Sequence, residues 1–302
     1  MLKKISSDSW HLRDHGLGFD HELENNFIRS INQDHARLMT EYVIDDQVRQ
    51  RYPNLKFEFD FEMKQTLLSH FKNYNIHPEL APDTFICSFN GTAHVSRKLL
   101  TASLHRWGWF NNETTSKNFK FDLDTLDGHL HDYVGHNTRY YRKFFLNPAS
   151  HDFFHYTNSF GHVQYDHAQN IYNLEKRITR SFVHVVSETM ATSYYPFVTE
   201  KFLYSVITRG LFLAYAQPGW HDHLEKYFGF RKFERIFSYE FDSIQNPVER
   251  LVSLMSMLSK FSILDSDDWR DLYEMEIDTI EHNYDHYFSG SWIKQLRDST
   301  NV

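Results

Sequence analysis

Apolar positions recur near the helical period over long parts of this chain. Leu23, Phe27, Ile28, Ile31, Leu38, Met39 and Val43 form a stripe that predicts a first helix over 20–43. The break Tyr52-Pro53-Asn54 precedes a second helical pattern through Met63, Leu67, Leu68 and Phe71. The stretch 84–109 reads in two halves. Phe85, Cys87 and Phe89 alternate as in a short extended strip, whereas Val95, Leu99, Leu100 and Leu104 follow the helical period after Gly91.

Between 110 and 128 the chain is polar with Phe119 and Phe121 interspersed, which reads as a loop excursion or a lid. Helices are predicted over 130–145, 159–195 and 200–215, punctuated by Pro148, Pro196 and the Gln217-Pro218-Gly219 turn. A further helical segment falls at 247–261. The stretch 267–287 is the clearest, because Trp269, Leu272, Tyr273, Ile277 and Ile280 share one face and carboxylates occupy the others. No repeat of 20 to 50 residues is present, against a solenoid. The predicted architecture is mainly α, an irregular single-domain helical bundle over 1–302.

Composition narrows the function classes. The chain has 41% apolar and 17% aromatic residues and few Gly and Pro, so it folds around a core. Its formal charge of -8 argues against a nucleic-acid partner. The single cysteine, Cys87, sits in the apolar run Phe85-Ile86-Cys87-Ser88-Phe89, which predicts a reduced buried thiol and a cytoplasmic setting. Polar residues follow Met1-Leu2-Lys3-Lys4-Ile5 before any apolar core of a secretory signal develops, and the longest apolar stretches fall short of a membrane span.

Twenty histidines remain to be explained. On a helix, His184 and Glu188 would share a face, with Phe182, Val183, Val185 and Val186 around them supplying a dry pocket. Asp278 and His282 have the same spacing, with His286 one turn further on. Imidazole with carboxylate suits non-haem iron, manganese or zinc. These four residues are the candidate metal ligands, for iron in a mononuclear or dinuclear centre, with manganese or zinc as alternatives. Glu281 or Asp285 would serve as catalytic proton acceptor or additional ligand. A buried His–Glu hydrogen bond and a solvated acidic helix face are the competing structural readings.

The stretch from His131 through His155 resembles the histidine-rich copper segments of the tyrosinase family over less than a tenth of the chain, and no ligand is carried over from it. Carboxylate and histidine on helices are also similar to the arrangement in diiron ferritin-like and heme-oxygenase-like helical folds. The Glu-x-x-His motif of ferritin-like bundles is absent, since Glu188 is followed at that spacing by Ala191.

Arg139, Arg142 and Lys143 are candidates for a substrate carboxylate or phosphate, and Tyr194 is a candidate for the wall of an aromatic pocket. The sequence reading is therefore a non-haem iron-dependent oxidoreductase or oxygenase acting on a small organic substrate with molecular oxygen, compatible with a homodimer. Its alternatives are a non-enzymatic helical interaction protein and a zinc-dependent hydrolase. There is no glycine-rich phosphate loop, dinucleotide fingerprint or serine elbow.

Overall fold

The computed structural model describes residues 2–4, 9–12, 37–40, 43, 49–50, 52–74, 81–146, 151–161, 167–189, 191 and 196–300. Its strands are β1 (Leu2–Lys4), β2 (Ser9–Leu12), β3 (Arg37–Thr40) and β4 (Lys56–Phe59), followed by helix α1 (Phe61–Leu68). Next come β5 (Thr84–Asn90), α2 (Val95–Arg106), β6 (Thr115–Lys117), α3 (Leu123–Val134), α4 (Thr138–Arg142), α5 (His151–His155) and α6 (His167–Thr179). The chain continues through β7 (Ser181–Ser187), α7 (Leu203–Ile207), β8 (Phe212–Tyr215) and α8 (Trp220–His223). It ends with α9 (Pro247–Leu258), α10 (Ser266–Met275), α11 (Ile277–Phe288) and α12 (Ser291–Thr300).

These elements overturn the expected all-α helical bundle: the fold is mixed α/β with two sheets, and it is not a diiron or heme-oxygenase-like helical architecture. The first sheet has the order β1-β2-β3-β4, antiparallel only between β1 and β2. The second has the order β6-β5-β7-β8 and is parallel throughout.

The error has a physical source in β7. All seven residues of Ser-Phe-Val-His-Val-Val-Ser are buried, because a central parallel strand is covered on both faces and shows no alternation. Such a run is indistinguishable by periodicity from a buried helix. The same holds for β8, whose four residues are all buried. The predicted helices 159–195 and 200–215 therefore each merge a helix and a strand. The predicted helix over 20–43 falls mostly outside the described residues, and its described part at Arg37–Thr40 is strand.

Helices cover both faces of the second sheet. On one side α2 packs with α3 and α9; on the other α6 packs against β7 and α7, and α11 packs on α7. The core draws Leu99, Leu100 and Leu104 from α2 and Ile171, Leu174 and Ile178 from α6. It also takes Leu251, Leu254 and Leu258 from α9. Strand β5 passes to α2 on one face, and β7 passes to α7 on the other. The strand order thus reverses between β5 and β7, the topological switch point of a doubly wound sheet.

The amino-terminal region is tied to this unit by buried polar contacts. The Tyr287 hydroxyl of α11 donates to the Leu68 carbonyl oxygen at 2.9 Å and accepts from the Phe71 backbone N–H at 3.1 Å. The Arg297 guanidinium of α12 lies 4.5 Å from the centre of the Phe61 ring.

The polar excursion at 110–128 contributes a strand and a helix start. In β6, buried Lys117 donates to the carbonyl oxygens of Phe119 at 2.7 Å, Phe154 at 3.3 Å and Tyr156 at 2.6 Å. Asp122 caps α3 by accepting from the Thr125 backbone N–H at 2.7 Å. The acidic carboxyl-terminal stretch is helical as its stripe predicts, but it forms two helices, α10 and α11, meeting at buried Glu276.

Candidate functional site

The carboxyl ends of β5 and β7 lie side by side. Cys87 pairs with His184 in the ladder, so Asn90 and Ser187, three residues further along each strand, reach the same level of the sheet and point to the same face. Both are buried, and among the described residues neither the Asn90 Oδ1 nor the Ser187 Oγ has a hydrogen-bond partner. Asn90 spends its Nδ2 on the Ser88 Oγ and the Ser116 carbonyl oxygen, both at 3.1 Å.

After Asn90 the chain turns through Gly91-Thr92-Ala93 into α2. His94 stands at the N-cap in an extended conformation and supplies no side-chain cap to the helix. Arg97 follows in the first turn. It is only 4% exposed, its Nη1 donates to the Thr92 carbonyl oxygen at 3.4 Å, and its Nε has no partner. Burial pushes its pKa down, and the nearby charges of Glu188 and Glu200 pull it back up. The helix N-terminus thus carries a buried guanidinium, close to the carboxylates of Glu188 and Glu200, with its Nε left over as a donor.

Beyond β7, Glu188 is fully buried. Its carboxylate accepts from the Thr199 backbone N–H at 3.1 Å, the Thr199 Oγ1 at 2.6 Å and the Thr189 backbone N–H at 3.2 Å. Glu188 therefore acts as the internal brace of the turn that begins at Thr199. Its backbone carbonyl oxygen accepts from the Ser96 Oγ of α2 at 3.4 Å, linking the two turns. Lys201 extends this group, donating to the Thr199 Oγ1 at 2.8 Å and the Thr189 Oγ1 at 3.1 Å. Its Nζ is 3.5 Å from Glu200 and 4.0 Å from Glu188, and its side chain remains 21% exposed.

The expected metal ligands have other partners. The His184 Nδ1 is 2.7 Å from the Ser205 Oγ, and burial alone pushes its pKa down to about 3. Because the segment is a strand, four residues separate His184 from Glu188 by about 13 Å, twice their helical distance. Asp278 is 77% exposed and pairs with Arg235 at 3.5 Å. His282 reaches the Gly229 carbonyl oxygen at 3.3 Å.

Glu281 accepts from the Arg209 Nε at 2.8 Å, and Asp285 is exposed on the same helix. Among the described residues no group of three or more His, Cys, Asp or Glu is placed to hold a metal ion. Arg139 is exposed and Arg142 stands 3.4 Å from Asp127; Tyr194 lies outside the described residues.

A second histidine–carboxylate pair has the look of catalytic machinery. The His221 Nδ1 is 2.8 Å from the Asp242 Oδ1, but its Nε2 accepts the Ala214 backbone N–H at 3.0 Å. With both ring nitrogens occupied, this imidazole ties β8 to α8 and has no nitrogen left to serve as a base.

Arg97, Lys201, Asn90 and Ser187 are the site residues that sequence reasoning misses. The available signal was the strand at 84–90 followed by Gly91 and a helix, a β-turn-α unit with arginine in the first helical turn. No known protein family, characterised protein or solved structure was found to match the chain. Among the described residues, no helix is long and apolar enough to cross a membrane.

Proposed function

We propose that this chain binds the diphosphate of a nucleotide, free or carrying a group to be transferred, at the carboxyl ends of β5 and β7, and that it is a group-transfer enzyme. The observation that carries the reading is the unpartnered Nε of buried Arg97 at the uncapped start of α2. Buried polar groups are nearly always paired, and a guanidinium prefers phosphate as its planar partner. A helix start at the switch point of a doubly wound sheet is where phosphates of nucleotides bind.

Lys201 supplies the second cation from the facing turn, so the phosphates would lie between α2 and the Thr199 turn. There the two cations would stabilise negative charge building up on a departing diphosphate. Asn90 and Ser187 would offer an acceptor and a hydroxyl to the rest of the ligand. The four residues expected to hold iron each have a different neighbour, so the present reading is built on Arg97 and Lys201 and not on them.

Titration calorimetry of the full chain with ADP, GDP, UDP and CDP tests the proposal. At least one should bind, and Arg97→Gln should weaken it about tenfold or more, the loss of one charge-assisted hydrogen-bond pair. Lys201→Met should act in the same direction. Absence of heat with all four nucleotides, or affinity indifferent to both substitutions, would sink it.

A further inference from the structure

We propose that the surface formed by α4 and the carboxyl-terminal end of α2 docks on an anionic lipid bilayer. The chain as a whole carries a formal charge of -8, yet the segment Thr138-Arg139-Tyr140-Tyr141-Arg142-Lys143-Phe144-Phe145 contains three cations and no acid. A fourth cation joins it from α2, where the Arg106 Nε donates to the Lys143 carbonyl oxygen at 3.0 Å. Arg106, Arg139 and Lys143 are all exposed. Asp127 offsets Arg142 at 3.4 Å. Glu249, which accepts from the Tyr141 hydroxyl at 3.0 Å, and exposed Asp132 keep their charges beside the patch, so its excess of cations rests on Arg106, Arg139 and Lys143.

The aromatic part of the patch separates a bilayer from other polyanions. Tyr140 is 56% exposed, one of few large apolar side chains so placed among the described residues. Its ring meets Tyr141 and Phe144 with centroids 5.1 Å and 5.9 Å away, and the Lys143 Nζ lies 4.0 Å from its centre. Tyrosine beside lysine and arginine is the composition favoured at the headgroup level, where the ring enters the interface and the cations meet lipid phosphates. The field of a charged surface decays within about 10 Å. The overall negative charge of the chain therefore matters less to a bilayer than the charge of the face turned toward it.

The position of the patch is consistent with such docking. Arg97 and Arg106 are nine residues apart on α2, about 14 Å along its axis. The patch thus lies at the opposite end of the helix from the candidate phosphate site, and docking there would leave that site open.

Co-sedimentation of the full chain with vesicles tests the proposal, comparing phosphatidylcholine alone with phosphatidylcholine mixed with phosphatidylserine. Binding should require the anionic lipid. Arg139→Glu with Lys143→Glu should weaken it by about 30-fold or more, since loss of the two cations' surface attraction alone amounts to that. Tyr140→Ser should remove binding that persists at raised salt. Circular dichroism of each variant should match the parent, since the three side chains are exposed. Equal binding to neutral vesicles, failure to bind the anionic ones, or full binding by the correctly folded charge-reversal variant overturns the proposal. Nucleotide affinity should be unchanged by these substitutions, so docking and the phosphate site fail or stand separately.

Discussion

Lys64, buried in α1, donates to the carbonyl oxygen of Val198 at 2.8 Å across 134 residues of sequence, and its ammonium stands 4.0 Å from the centre of the Phe197 ring. The bond joins the amino-terminal region to the strip of chain that runs directly into Thr199, Glu200 and Lys201. The placement of Lys201 in the candidate site therefore depends on a residue outside the second sheet.

Replacing Lys64 with methionine keeps most of the stem but leaves the Val198 carbonyl oxygen without this donor. A loss of about 1 to 3 kcal/mol of unfolding free energy is expected, the range for an acceptor left unpaired in the interior. Denaturant unfolding measures it. A stability equal to the parent would show that the bond does not hold the two regions together.

Gly229 has φ of +80°, and a Cβ there would stand 2.5 Å from the His286 Nε2 and 2.8 Å from its Cε1. That same Nε2 donates to the Phe228 carbonyl oxygen at 2.8 Å. Gly229→Ala combines a left-handed backbone penalty with displacement of the ring, and about 2 kcal/mol or more of destabilisation is expected. Adding His286→Ala should relieve the steric part, so the double mutant should fall short of additivity. Strict additivity in thermal unfolding would refute the contact.

The fold was legible where one face of an element meets water. The helix at Phe61–Leu68 and the carboxyl-terminal helices carry a one-sided apolar stripe. β5 and α2, largely buried, are legible instead from the alternation of Phe85, Cys87 and Phe89 and from the Gly91 break between them. β7 and β8 carry neither signal, being covered on both sides, and their valines and phenylalanines read as helix because a run without period has no face. Taken as helix, the β7 segment puts His184 and Glu188 on one face within reach of a single ion. In a strand the same spacing separates them, and each finds a hydroxyl. Arg97 was invisible for a different reason: its significance comes from lying at the reversal of strand order, which no local pattern records.

Lys117 anchors the polar excursion at 110–128. Its ammonium satisfies three carbonyl oxygens and lies within 5.1 to 5.5 Å of the Phe119, Phe121 and Phe153 ring centres. Burial pushes its pKa down to about 8. Lys117→Met would leave those carbonyls without their shared donor, and a cost of about 3 kcal/mol is expected. Hydrogen exchange should show faster opening of 117–121 and 153–158 than of β7. Uniform protection in the variant would mean the ammonium is not the anchor.

Two buried histidines make stability depend on pH. Burial holds both His184 and His223 down at about 3, with Lys64 and Lys226 adding to the effect at His223. In the unfolded chain each titrates near its ordinary value of about 6.5. Between those values the unfolded state binds a proton at each site that the folded state refuses, so stability falls as pH falls. The slope from this pair approaches about 2.7 kcal/mol per pH unit once pH is well below 6.5. Denaturant unfolding between pH 7 and pH 5, above the range where most carboxylates titrate, should show that decline. His105, His129 and His286 are also held below their ordinary value by burial and add to the slope. His184→Gln, which can keep a hydrogen bond to Ser205 without a titrating ring, should therefore reduce it by at most about 1.4 kcal/mol per pH unit. A slope unaffected by His184→Gln would show that this imidazole takes up its proton in the folded state, and that it is not sealed between β7 and the Ser205 hydroxyl as the geometry requires.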